Sequence, residues 1–455
     1  MIDRPNILLV VMDAVRAASL EPYGCTAPTS PFLREFAESA CTYDRAHATC
    51  CWTLPSHASM FTGLTTDQHG LGGRRWSLRE VDSPTVAERL RERGYATIAA
   101  SANPWIGPGF GFDRGFDTFL EGWRLGAMPD LATASLGSGG LSSFERIRKV
   151  TAAGPAAVAA ALPAAVMARR RRSGHDGSDR LTHRFVRAFA ATDRPTFGFV
   201  NLLDAHLPRH PPRRHRRALG ATSTRSPHPW EYAGGLTPPP SRDAMRALYH
   251  AAVRHADEQT GRLVTAVDRA STRPLTVVVT SDHGENVCDH GLMDHQFSLH
   301  QTVLHVPLLV REPNGARAGE RDPGLVSLAD VHGLLVDGTA ARARTTITAG
   351  YPRPQPPIER LRRRFPRGAF DRYDRSLRAC VYDDGRKLIW ASDGGHEVYD
   401  LNTDPDELRN LWPSPEFADA LERLADAPRP DVPDHSRPGG DDSRTEAALR
   451  ALGYL

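Results

Sequence analysis

Three strand-like runs each end in acidic or imidazole side chains, and this repetition limits what the chain can fold into. Asn6 to Met12 reads as a continuous buried strand followed at once by Asp13. Thr196 to Leu203 leads into Asp204-Ala205-His206, and Leu275 to Thr280 leads into Ser281-Asp282-His283. Runs without polar alternation belong to strands covered on both faces, as in parallel sheets. Helical patterns lie between them. Ser30-Pro31 opens one with Leu33, Phe36, Ala37 and Ala40 on its apolar face, and Ser83-Pro84 opens another that stops at Gly94. Asp179 to Ala191 and the long stretch from Arg242 to Ala270 also read as helices, and Tyr95 to Ala100 as a further strand. Such alternation predicts an α/β fold, a mostly parallel central sheet flanked by helices. Ligands of open α/β sheets bind beyond the carboxyl ends of strands. Asp13, Asp204, His206, Asp282 and His283 are therefore expected to converge.

A hydroxyl supplies the reactive element. In Trp52-Thr53-Leu54-Pro55-Ser56-His57, Thr53 stands two positions before a Pro-Ser pair. Proline suits a first helical position, so a short apolar helix is expected to open at Pro55. Thr53 would then lie beside free backbone N–H groups that attract an anion, although an ordinary N-capping threonine fits the same pattern. Asp13, Asp282 and His283 beside a hydroxyl point to a metal-activated nucleophile. Carboxylate and imidazole together suit Mn²⁺ or Zn²⁺, with Mg²⁺ and Ca²⁺ as alternatives.

These residues resemble, in order, the motifs of the sulfatase branch of the alkaline-phosphatase superfamily. The family's first strand and metal acid match Pro5 to Asp13, and its nucleophile segment matches Thr53 to Gly63. Its second metal motif matches Thr280 to Glu285, followed by Asp289-His290-Gly291, and its C-terminal signature matches Val398 to Pro405 with Asn410-Leu411. The resemblance covers nearly the whole chain. It implies an alkaline-phosphatase-like fold with a small C-terminal α+β subdomain. It also implies one divalent metal ion held by Asp13, Thr53, Asp282 and His283, and action on a small anionic ester. His206 matches a substrate-contacting histidine, and His295 falls where relatives place a substrate-binding lysine. His57 replaces the motif arginine, where it would orient Thr53 or contact the anion. Arg74 and Arg75 lie near a position that binds substrate in some relatives. His69 and His290 are expected to be structural.

The departures from the family pattern are informative. Sulfatases oxidise Cys or Ser to formylglycine, an aldehyde that Thr53 cannot give, and neither Cys50 nor Cys51 has a proline two residues on. Ala14 stands where sulfatases carry a second Asp, and His283 where they often carry Asn. A threonine with Asp-His ligands resembles the phosphodiesterase, phosphonate-hydrolase and lipoteichoic-acid-synthase branches. Pro208, four residues after Asp204, replaces the histidine of the Asp-x-x-x-His motif that would bring a second metal, so one ion is expected. The expectation is a metal-dependent hydrolase of a phosphate or phosphonate ester, working through a covalent Thr53 intermediate without formylglycine. The alternatives are a sulfuric ester hydrolase, a phospho-group transferase and a catalytically silent scaffold.

Composition narrows the partners. A net charge of +3 over 455 residues argues against a nucleic-acid binder. The Arg clusters at 169–172, 213–217 and 362–364 read as solvated faces. Six cysteines show neither zinc spacing nor a disulfide framework. The first strand begins by Asn6, which leaves no room for a signal peptide, and a cytoplasmic location is expected. Thr151 to Met167 is short, Ala-rich and interrupted by Gly154, Pro155 and Pro163, so no stable membrane insertion is expected. The catalytic domain is expected over 1–344, with 105–172 and 208–240 as segments covering the site entrance. The C-terminal subdomain is expected over 345–455, with strands at 379–382, 387–391 and 397–401, a Pro-rich linker at 428–442 and a final helix. Nothing in the sequence fixes an oligomeric state.

Overall fold

Every residue of β1 (Asn6–Met12) is buried, as its continuous apolar run requires. Alternate side chains enter different cores: Ile7, Leu9 and Val11 face one side of the sheet, and Leu8, Val10 and Met12 the other. Each such aliphatic side chain contributes roughly 1.5–3 kcal/mol by leaving water. The computed structural model describes residues 4–125, 177–223, 241–355 and 357–413, with Tyr232, 415–418 and 420–422.

The next strands are β2 (Cys41–His47), β3 (Ala96–Ser101), β4 (Thr118–Glu121), β5 (Thr196–Leu202) and β6 (Leu275–Thr280). A short hairpin, β7 (Asn286–Asp289) and β8 (Leu292–Asp294), precedes β9 (Leu308–Arg311) and β10 (Arg321–Ser327). The main sheet has eight strands in the order β10-β2-β9-β6-β1-β5-β3-β4. Its pairings are parallel except those of β9, which runs antiparallel to β2 and β6. The helices Thr53–Thr62, Val86–Glu92 and Asp330–Asp337 cover one face. Pro31–Ala37, Gly177–Phe189 and Arg242–Ala270 cover the other. In the last of these, Met245, Leu248, Tyr249, Ala252, Val253 and Ala256 are buried at the three- and four-residue spacing of an amphipathic helix.

A second sheet follows, antiparallel, made of β11 (Thr346–Tyr351), β12 (Leu377–Tyr382), β13 (Arg386–Ala391) and β14 (Glu397–Asp400) in that order. Leu325 of β10 packs with Ile347 and Val381, joining the two sheets. The fold class is thus the expected α/β architecture with a small additional sheet.

The two segments expected to cover the site entrance are described only in part. The stretch from Trp105 does not begin as a cover, because Trp105, Ile106, Phe110 and Phe112 lie in the main core and β4 closes the sheet edge. Aromatic content outweighed the Gly-rich appearance there. The described part of 208–240 is anchored inward: Arg209 is buried, and the helix Arg213–Ala218 packs on Arg242–Ala270. Residues 126–172, the rest of 208–240, the 428–442 linker and the final helix lie outside the described residues. Among the described residues no helix is long and apolar enough to cross a membrane. All six cysteines are free thiols.

Candidate active site

Four adjacent strands of the main sheet deliver the polar groups to one edge. Asp13 follows β1, Asp282 and His283 follow β6, Asn201 lies in β5 and Asn103 follows β3. Thr53 comes from the helix Thr53–Thr62, of which it is the first residue, with Trp52 as N-cap. Pro55 therefore stands third in the helix. That position tolerates proline equally well, since the first N–H groups have no intrahelical partner.

Asp13, Asp282 and His283 are fully buried, and each can place a ligand atom within 4.8 Å of the others. His283 Nδ1 donates to the carbonyl of Gly284 at 2.9 Å. That bond fixes the tautomer and turns the Nε2 lone pair inward. Nε2 then faces Thr53 Oγ1 at 3.3 Å, Asp282 Oδ2 at 3.4 Å and Asp13 Oδ1 at 3.8 Å. A close approach of Gly284 to Thr302 permits this turn, because a Cβ there would lie 2.2 Å from the Thr302 carbonyl oxygen.

The carboxylates are held by their other oxygens. Asp13 Oδ2 accepts from Asn103 Nδ2 at 2.8 Å, and Asp282 Oδ1 accepts from the backbone N–H groups of His283 and Ala14 at 2.9 and 3.3 Å. Asp13 Oδ1 and Asp282 Oδ2 are buried without a hydrogen-bond partner. Burial, and then the charge of Asp13, push the Asp282 carboxyl well above the usual range, while burial holds His283 well below its own. One lone pair and two orphaned carboxylate oxygens thus point at a common centre. Such a set is unfavourable unless a cation lies between them. The residues fit a divalent ion.

Ala14 has a left-handed backbone (φ 62°) that turns the chain sharply after Asp13. Tyr249 secures this turn, its hydroxyl donating to the Ala14 carbonyl at 2.8 Å and accepting from the Arg16 N–H at 3.1 Å. Arg209 lies over the Tyr249 ring and pairs with buried Glu285.

His57 lies one turn along from Thr53. Its Nδ1 donates to the Thr53 carbonyl at 3.0 Å and stands 3.5 Å from Asp282 Oδ2; its Nε2 accepts from Asn201 Nδ2 at 3.1 Å. Phe61, Phe112 and Phe199 surround the ring edge-on. Burial lowers its pKa to about 4, favouring the neutral form of the ring. His295 packs on His283 with ring centroids 4.3 Å apart, and His206 lies 5.2 Å from His295. Burial alone would lower His295, but Asp294 at 2.5 Å overcomes it and raises the imidazole to about 9. Burial lowers His206, whose Nδ1 donates to the Leu207 carbonyl.

The structure therefore brings together Asp13, Thr53, His57, His206, Asp282, His283 and His295. Asp204 does not join them; its carboxylate faces His255 at 3.4 Å. Arg74 is also directed elsewhere, donating to the carbonyls of Asp67 and Gln68, and Arg75 donates to that of His69. His69 bonds to Ser59 and to the Leu71 N–H, and His290 stacks on His300. Sequence reasoning missed Asn103, Asn201 and Asp294. Asn103 had a usable signal, since it follows a strand end as Asp13 does. Its amide reaches both Asp13 Oδ2 and, at 3.4 Å, Thr53 Oγ1.

Comparison with known proteins gives a consistent family. Uncharacterized sulfatase YidJ of Escherichia coli (strain K12) is 22% identical, over 93% of this chain and 86% of that protein. The phosphonate monoester hydrolase of Agrobacterium radiobacter superposes with a TM-score of 0.65 at 18% identity, covering 93% of this chain and 94% of the other. A protein solved in complex with its substrate D-glucosamine-2-N,6-O-disulfate gives a TM-score of 0.62 at 16% identity, over 93% and 96% of the two chains. These structural likenesses establish the alkaline-phosphatase-like fold. The family profile described as Sulfatase matches residues 5–337, and the chain belongs to the sulfatase family.

Proposed function

We propose that this member of the family hydrolyses a small phosphate or phosphonate ester through a covalent phospho-Thr53 intermediate. The observation that carries the reading is the position of Thr53 Oγ1, 3.3 Å from His283 Nε2 and within reach of Asn103, at the head of a helix. A divalent ion on Asp13, Asp282 and His283, Mn²⁺ or Zn²⁺ by the donor set, would lower the hydroxyl pKa and polarise a substrate oxygen. Asn103 holds the Thr53 oxygen and the Asp13 carboxylate in one geometry. Thr53, its hydroxyl proton passing to solvent, then attacks phosphorus in line with the departing alkoxide. His295, kept protonated beside Asp294, is placed to give the leaving oxygen its proton. His206 presents an unprotonated nitrogen, which suits accepting a proton from the water that later cleaves the phospho-Thr53 bond. His57 keeps the first helical turn in register and exchanges no proton.

Sulfuric ester hydrolysis is the second reading, favoured by the family profile and by the name of the E. coli relative. Against it stands the residue at 53, which cannot become formylglycine. The deciding test assays purified protein with Mn²⁺, Zn²⁺, Mg²⁺ or Ca²⁺ on aryl phosphate mono- and diesters, an aryl phosphonate monoester and an aryl sulfate. Preferential turnover of a phosphorus ester, with phosphate trapped on Thr53 after rapid quench, is expected. Turnover of the aryl sulfate alone would overturn the proposal.

A further inference from the structure

We propose a second divalent-cation site, separate from the reacting centre, formed by His215, His255, Glu258 and Asp204. His255 and Glu258 stand three positions apart on the helix Arg242–Ala270 and so share a face. His215 comes from the helix Arg213–Ala218, and Asp204 from the loop after β5. Ligand atoms of His215, His255 and Glu258 all lie within 4.8 Å of one another. His215 Nε2 is 2.7 Å from Glu258 Oε2, and His255 Nε2 is 3.4 Å from Asp204 Oδ1. The two imidazole rings are 5.4 Å apart.

A tetrahedral shell with bonds of about 2.1 Å sets neighbouring ligand atoms about 3.4 Å apart. The two measured separations lie at or below that value, so small side-chain rotations would bring His215, His255 and Glu258 onto an ion, with Asp204 beside His255 as the fourth group. Two imidazoles with two carboxylates and no thiolate suit Zn²⁺ or Mn²⁺. The His215, His255 and Asp204 side chains are 7%, 3% and 6% exposed and that of Glu258 is 27%, so three of the four groups lie beneath the surface. Arg214 contacts Glu258 Oε2, the oxygen that also faces His215, at 2.7 Å, and Arg262 contacts Oε1 at 2.5 Å; both guanidinium groups are about half exposed. Asp204 is two residues before His206. An ion here would lock the His206 loop, and the 213–218 helix that follows it, onto the long helix.

The test separates this site from the one at Asp13. Metal-stripped wild-type protein, titrated with Zn²⁺ and desalted, should hold two equivalents by elemental analysis. Asp282→Ala should keep one, and Asp282→Ala/His255→Gln and Asp282→Ala/Glu258→Gln should each lose it while circular dichroism shows them folded. Co²⁺ loaded into Asp282→Ala should give visible ligand-field bands from nitrogen and oxygen donors, absent from the double variants. A wild-type protein with a single equivalent that disappears in Asp282→Ala would overturn the second site. So would undiminished binding in both double variants. A single equivalent that survives Asp282→Ala but not His255→Gln would uphold it and instead remove the ion from Asp13.

Discussion

Two buried polar regions of this protein treat charge in opposite ways. Between the sheets, Lys387 of β13 meets Glu407 at 2.5 Å, both side chains fully enclosed, and Glu397 pairs with His300 at 2.9 Å while accepting from Tyr399. Every cation there has its anion within the chain. At the head of the main sheet, Asp13 and Asp282 confront each other with neutral imidazoles between them and an oxygen apiece without a hydrogen bond. The first region is complete as architecture. The second is complete only with something positive added, which is how a folded scaffold marks the place of its chemistry.

The sharpest way to break the contrast is at Thr53. Thr53→Ala removes the proposed nucleophile, and kcat/KM should fall by about 10³-fold or more in steady-state assays. Thr53→Ser keeps the hydroxyl and should retain part of the activity, losing mainly the rotamer restriction of the β-branch. Undiminished turnover by Thr53→Ala would show that the reacting oxygen lies elsewhere.

The next effect belongs to the seam. Glu407→Gln leaves the Lys387 ammonium buried without its anion, and denaturant titration should show a loss of about 3–5 kcal/mol. Turnover per folded molecule should be unchanged, since neither residue touches the site.

At the Asp13–Asp282 pair the sign should reverse. In chelator-treated protein, Asp282 has a folded-state pKa above its unfolded value, so the native state binds the extra proton. Its contribution to stability should then decline as pH rises above about 4, where the unfolded carboxyl ionises. Asp282→Asn should flatten that decline and stabilise the metal-free form near neutral pH, as urea midpoints across pH 4–7 would reveal. Wild-type and Asp282→Asn stabilities that run parallel over that range would mean that the two acids are already compensated. The smallest effect is expected from Arg74→Ala: its guanidinium serves backbone carbonyls, and kcat/KM should change less than about twofold, as for surface substitutions generally.

Much of this was legible in the chain. β1, β5 and β6 announced themselves because both of their faces are covered, and the acids placed after β1 and β6 reached the site. β2 was hidden because Asp44 and Arg45 interrupt its apolar pattern, and β10 because Pro323 and Gly324 read as a turn. β9 is four residues long and antiparallel, too short to separate from a loop. Asp204 followed the same strand rule as Asp13, yet its carboxylate turns to His255. The rule supplies a position at a strand end, whereas the direction of a side chain depends on neighbours distant in sequence. Thr53 could be placed at a helix head from its proline, but its contact with Asn103, 50 residues away, required the assembled sheet.

That assembly has a consequence for folding. The ligands at 13 and 282–283 are brought together only when β1 and β6 pair side by side, a contact between distant parts of the chain and therefore a late one. Before then the polypeptide offers an ion no more than the adjacent Asp282-His283 couple, a weak local chelate. An ion held there would stabilise the assembled fold rather than template it. An ion that binds the native state and almost ignores the denatured one transfers its full binding free energy to stability by mass action. Unfolding midpoints should therefore climb with free metal concentration, and the rise should be carried mainly by slower unfolding.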